Sequence, residues 1–164
     1  MRVILPGSYD PVTLGHLDLI RRAAETYDEV YAVIFVNPEK TYTFSLDDRL
    51  RMLALATEAW DNVLVSAGGG LVIDYMREHD IDLIVKGYRD DRDLAYENGM
   101  AAWNLAHGGY ETRLLPCEPT VKHISSTAAR EALRRGEELS GLLPEAVIAY
   151  LKDKATEYKG TIHG

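Results

Sequence analysis

Four short segments carry the residue types that bind phosphate. Pro6-Gly7-Ser8-Tyr9-Asp10-Pro11-Val12-Thr13-Leu14-Gly15-His16 reads as a tight loop entering a helix, whose first free N–H groups form an anion site. Gly15 lets a ligand approach the backbone, Ser8 offers a hydroxyl, and His16 stands in the first helical turn. The segment lacks both the G-x-G-x-x-G spacing of a dinucleotide loop and the lysine of a Walker loop. Taken alone, it reads equally as a helix capped by Thr13 with His16 on the surface. Asn37-Pro38-Glu39-Lys40-Thr41 adds a lysine, which by itself is an ordinary solvated charge. Lys86-Gly87-Tyr88-Arg89 is more pointed, because two cations flank a glycine directly after an apolar run. Arg89 can grip phosphate oxygens with two parallel donors, whereas Lys86 acts as a point charge. Val121-Lys122-His123-Ile124-Ser125-Ser126-Thr127 leads into a helical stretch with no acid before Glu131, which leaves its positive end uncompensated.

The elements that must position these groups follow from apolar periodicity. Val3–Leu5, Val30–Val36, Val63–Val65, Leu83–Val85 and Thr112–Leu115 read as short strands. Helices are expected over Thr13–Tyr27, Ser45–Ala59, Leu71–His79, Asp91–Ala106, Ser126–Arg135 and Pro144–Tyr158, with Ser45 as an N-cap and the triple glycine 68–70 as a break. Strands alternating with helices imply an α/β fold: one doubly wound, Rossmann-like domain over residues 1–158 with a five-stranded parallel sheet. Residues 159–164 are expected to form a flexible tail. In such folds ligands sit at the carboxyl ends of the strands. Four strand ends each deliver an anion-binding group in a chain whose net charge is −8.

That acidic balance argues against nucleic acid or an anionic membrane as partner. No apolar run approaches the roughly 20 residues of a membrane span. A single cysteine, Cys117, excludes an intrachain disulfide and suits the cytoplasm. Its place at the end of an apolar run suggests a small buried side chain rather than a nucleophile.

Thr13-Leu14-Gly15-His16 resembles the (H/T)xGH signature of the adenylyl- and cytidylyltransferase superfamily, and Ile124-Ser125-Ser126-Thr127 resembles its ISSx signature. Within it the chain is most similar to the bacterial phosphopantetheine adenylyltransferases. Pro6–Pro11 looks like their PG(T/S)FDP opening; Lys40, Phe44-Ser45-Leu46, Lys86–Arg89 and Asp93–Glu97 follow their middle blocks. Lys86 stands where arginine is usual, which keeps the charge and loses the fork.

The resemblance implies reversible transfer of an adenylyl group from ATP to 4′-phosphopantetheine, giving 3′-dephospho-coenzyme A and pyrophosphate in coenzyme A biosynthesis. It also implies Mg²⁺ held mainly through ATP phosphates, with no protein metal site, and a homohexamer. By the same resemblance His16, Lys40 and Arg89 are catalytic. Ser8, Tyr9, His16, Gly87, Tyr88, Arg89, Glu97, Val121, Lys122, His123, Ile124, Ser125, Ser126 and Thr127 contact ATP. Ser8, Lys40, Val72 and Lys86 contact the acceptor. Two alternatives remain at this stage: a sister enzyme adenylylating nicotinamide or nicotinate mononucleotide, and a non-catalytic nucleotide sensor.

Overall fold

The computed structural model describes residues 1–163, with backbone alone beyond residue 155. Five strands, β1 (Arg2–Gly7), β2 (Glu29–Val36), β3 (Val63–Gly69), β4 (Leu83–Tyr88) and β5 (Glu111–Pro116), form one parallel sheet in the order β3-β2-β1-β4-β5. Six helices connect and follow them: α1 (Leu14–Thr26), α2 (Leu46–Thr57), α3 (Val72–His79), α4 (Asp91–Gly108), α5 (Ser126–Arg135) and α6 (Glu145–His163). The tail expected over residues 159–164 falls where α6 is traced to His163 and where Gly164 lies outside the described residues.

Parallel neighbours need right-handed crossovers, and the strand order reverses direction after β3. The helices therefore divide between the two faces. Val3, Leu5, Val30, Ala32, Ile34, Leu83 and Val85 point to the face covered by α1, α2, α5 and α6. Ile4, Val33 and Ile84 point to the face covered by α3. This alternation, every second residue on one face, is strand geometry, and it decides where the functional side chains at the strand ends point.

The strands run on past the expected ends: β1 through Pro6 and Gly7, β4 through Lys86, Gly87 and Tyr88, and β3 through Gly69. The triple glycine does not break the chain, since Gly68 and Gly69 continue β3 and pair with Phe35 and Val36. Only Gly70 turns, at φ 73°. A side chain at Gly68 would lie 3.0 Å from the Tyr75 ring, so its absence admits the α3 aromatic against the strand.

β1 and β4 pair at only two positions, Val3 with Leu83 and Ile4 with Ile84, whereas β1 and β2 pair at six. Beyond Ile84 the two central strands part, which opens a crevice at the point where the strand order reverses. The loop on its rim is held by backbone groups. The buried Asp10 carboxylate accepts the N–H groups of Thr43 and Phe44, both at 2.9 Å. Arg130 donates to the Asp10 carbonyl at 2.8 Å, Ser126 to the Pro11 carbonyl at 2.9 Å, and buried Arg49 to the Ser8 carbonyl at 3.0 Å.

Asp10→Asn tests this clamp. Its NH₂ group would face an N–H and leave one amide unpaired, so the variant should lose about 1–3 kcal/mol of stability. Urea unfolding of both proteins measures it, and an unchanged midpoint would remove Asp10 from the account.

Candidate functional site

Two cavities flank the carboxyl end of β4, one on each face of the sheet. Lys86 shares the face of Ile84 and projects into a cavity of about 210 Å³ lined also by Ser8, Val72, Glu97 and Asn104. Gly87 shares the face of Val85 and lines a second, of about 240 Å³, with Gly15, His16, Arg89, Ser125 and Ser126. The loop from Pro6 to His16 contributes to both. A Cβ on Gly87 would stand 2.4 Å from Leu19 of α1, so glycine here lets that helix close over the strand end. A larger open cleft between α2 and α6, lined by Asp47 and Tyr150, lies away from the strand ends and holds none of the candidate residues.

His16 is held by a capping box. Thr13 is the N-cap, its hydroxyl accepts the His16 N–H at 3.3 Å, and the Thr13 N–H donates to His16 Nδ1 at 3.0 Å. A backbone N–H can only donate, so Nδ1 carries no proton and the ring's N–H is on Nε2. The imidazole packs on the Tyr9 ring with centroids 4.8 Å apart. Burial, and then the charge of Lys86, lower the His16 pKa from 6.5 to about 4. His16 therefore presents a neutral, fixed donor near neutral pH.

The helix ends complete the second cavity. Ser125 caps α5 by accepting the Ala128 N–H at 3.0 Å, Ser126 donates to Pro11, and Thr127 accepts from Arg130 at 3.2 Å. Ser126 thus spends its O–H within the protein, whereas Ser125 and Thr127 only accept in these contacts and can each offer an O–H to an anion beside the amides of the first turn. Neither α1 nor α5 has an acid in its first turn, whereas α2 and α4 each have two. The amino ends facing this cavity keep their positive potential.

The remaining sequence candidates divide. Ile124 is buried in the cavity wall, and its carbonyl approaches Gly15. Arg89 lines the cavity while paired to Asp93 at 3.1 Å. Tyr9 is buried with its hydroxyl given to the Leu5 carbonyl at 2.8 Å, which fixes a left-handed backbone at φ 46°. Tyr88 accepts the Cys117 N–H through its carbonyl. Val121, Lys122 and His123 form the turn before α5 and lie outside both cavity linings; Lys122 and His123 are exposed. Lys40 is exposed on the loop after β2, its ammonium 5.9 Å from the Tyr42 ring, and lines neither cavity. Glu97, expected beside ATP, lines the Lys86 cavity and pairs with Lys86 at 3.4 Å. Cys117, expected to be buried filler, is half-buried and lines the His16 cavity; desolvation holds its thiol above the usual range.

Sequence reading missed the supports: Asp10 and Arg130, which hold the loop, and Arg49, whose guanidinium also stacks 4.0 Å from the Tyr42 ring centroid. Their signal would have been an isolated charge inside an apolar or loop context, which sequence alone does not separate from a surface charge. Among the described residues no group of three or more His, Cys, Asp or Glu could hold a metal ion. No helix among them is long and apolar enough to cross a membrane.

The arrangement can seat two anions across one crevice, with a neutral donor on one side and a lysine on the other. Residues 4–132 match the cytidylyltransferase-like family model. The chain is 41% identical over 156 residues to the phosphopantetheine adenylyltransferase of Bifidobacterium longum (strain DJO10A), covering 94% of each chain. It is 42% identical over 154 residues to that of Corynebacterium diphtheriae, covering 93% of this chain and 97% of the relative.

The His16 geometry makes a pH prediction for the ligand-free protein. Long-range ¹H–¹⁵N NMR should find the Nε2–H tautomer, with protonation near pH 4 rather than 6.5. Between those values the unfolded chain binds the extra proton, so stability should rise with pH through that window and fall as acid is added. A midpoint near 6.5 would mean that the ring is solvated and not a fixed donor.

Proposed function

The chain belongs to the cytidylyltransferase-like family and, within it, to the phosphopantetheine adenylyltransferases, and from that premise we infer how its residues perform the transfer. The reaction moves an adenylyl group from ATP to 4′-phosphopantetheine and releases pyrophosphate. The observation that carries the assignment of roles is the alternation at the end of β4. It sends Lys86 and Gly87 into cavities on opposite faces, with His16 and the charge of Lys86 within electrostatic reach of each other.

ATP takes the His16 cavity, with its phosphates at the amino ends of α1 and α5 and against Arg89. The acceptor takes the Lys86 cavity, its phosphate at Lys86 and Ser8 and its arm along Val72. An acceptor phosphate oxygen attacks the α-phosphorus in line, the new P–O bond forms, and the bond to the bridging oxygen breaks as pyrophosphate leaves. The second pKa of a phosphate monoester is about 6, so the nucleophile needs no general base near neutral pH. His16 donates from Nε2–H to the α-phosphate oxygens, where negative charge grows in the transition state. Its low pKa suits this role, because a neutral donor is not itself deprotonated at working pH. Lys40, which lines neither cavity, would have to swing in from the loop after β2, whose far end is pinned by Asp10 through Thr43, to meet the reactants.

Mg²⁺ is the proposed ion, carried mainly by the ATP phosphates, because it dehydrates reluctantly and seldom sits in an all-protein cage. Bound there it would neutralise phosphate charge. A homohexamer is the proposed assembly. Its support is α4, which buries no residue and exposes Tyr96, Met100, Trp103 and Leu105. A cytoplasmic location fits the single free thiol.

Following pyrophosphate release with each acceptor tests the reaction. 4′-Phosphopantetheine should support turnover and unphosphorylated pantetheine should not; faster turnover with nicotinamide mononucleotide would reassign the acceptor. Arg89→Ala should weaken ATP more than the acceptor and Lys86→Ala the reverse, measured by separate titrations. Identical losses for both ligands would refute separate roles. His16→Ala should lower kcat and kcat/KM together by about 100- to 1,000-fold with ATP binding little changed. Weak ATP binding with normal turnover at saturation would make His16 a ground-state contact instead.

A further inference from the structure

We infer that Glu97 sets the affinity of the Lys86 cavity for the acceptor: its carboxylate competes with the acceptor's phosphate for the Lys86 ammonium. The inference rests on the acceptor occupying that cavity. Among the described residues, Lys86 and Glu97 are the only charged side chains lining it, and they lie 3.4 Å apart, with side-chain exposures of 31% and 14%. The cavity is therefore electrically balanced before any ligand arrives. An incoming phosphate must share or take a cation that already has a partner, and it must do so beside a partly desolvated carboxylate.

Lysine rather than arginine makes that competition direct. An ammonium has three donors on one atom and no planar fork, so it can pivot between two anions without committing both donors of a bidentate pair to either. The chemistry then changes the balance. Before transfer the acceptor phosphate carries nearly two negative charges. Once its oxygen has bonded to the α-phosphorus it is one half of a phosphoanhydride, and that phosphoryl group carries only one. The phosphate's hold on Lys86 weakens at the moment of transfer while the carboxylate's does not. Glu97 thus weakens the ground-state grip on the acceptor and favours departure of the product. Its effect should fall on the acceptor side, since Glu97 is absent from the lining of the His16 cavity.

Glu97→Gln separates these effects, because the amide keeps the length of the side chain and an oxygen for the ammonium while removing the charge. By calorimetry, 4′-phosphopantetheine should bind the variant about 10-fold more tightly, the equivalent of one pKa unit of differential charge interaction. The acceptor KM should fall in parallel. Pantetheine, which lacks the phosphate, and ATP should each bind as they do to the wild type. Glu97→Asp, too short to keep the contact, should also bind 4′-phosphopantetheine more tightly than the wild type, which keeps the test independent of any one substitution. Unchanged or weaker 4′-phosphopantetheine binding in both variants would overturn the inference, and a selective loss of ATP affinity would return Glu97 to the nucleotide side. Wild-type protein that binds pantetheine as well as 4′-phosphopantetheine would instead overturn the reading of the cavity itself.

Discussion

One buried carboxylate holds the geometry on which the site depends. Asp10 takes two amides from the segment before α2, and the backbone on either side of it is gripped by Arg49, Arg130 and Ser126. A loop is normally the least ordered part of an α/β crevice, because its backbone groups have no ladder to join. Here its carbonyls are acceptors for side chains from α2 and α5, so three separate parts of the chain agree on where residues 8–11 sit. α1 starts from that point, with the Leu14 amide given to the Leu142 carbonyl and Thr13 locking His16. The position of the imidazole is thus a consequence of packing some distance away, and a small shift in the loop would move it.

Electrostatics at the crevice work against the sign of the whole molecule. With a net charge of −8, the protein gains little from long-range attraction of a polyphosphate. The site relies on short-range donors instead: two helix amino ends without first-turn acids, one arginine and one lysine, each of the last two already paired with a carboxylate. Preorganised dipoles of this kind stabilise developing charge without reorganising during the reaction. The neutral state of His16 belongs to the same design. Burial and the Lys86 charge disfavour its protonation, which leaves a donor whose direction the Thr13 amide has already chosen.

Much of this was legible in the sequence. Apolar runs of strand length alternating with amphipathic stretches determine a parallel α/β sheet, since only crossover helices join parallel neighbours. Ser45 as a cap and α5 over Ser126–Arg135 follow from local signals. Local signals failed where neighbours decide. The glycines at 68 and 69 read as a break, yet they finish a strand by pairing with Phe35 and Val36, and at Gly68 the Tyr75 ring packs where a side chain would have been. Likewise nothing local to Ser126 shows that its hydroxyl is spent on the Pro11 carbonyl, 115 positions away in the chain.

What the sequence by itself determined is therefore the identity of the strand-end groups and the sheet edge they occupy, both set by periodicity and residue type. Only the tertiary structure decided which of them face each other. Lys86 and Gly87 are adjacent in the chain, but the pleat of β4 sends them to different cavities, and Glu97, eleven positions on, returns on α4 to meet Lys86. The reason is physical. Which face of the sheet a residue takes depends on strand register, and which partner it meets there depends on the crossing of helices from distant parts of the chain.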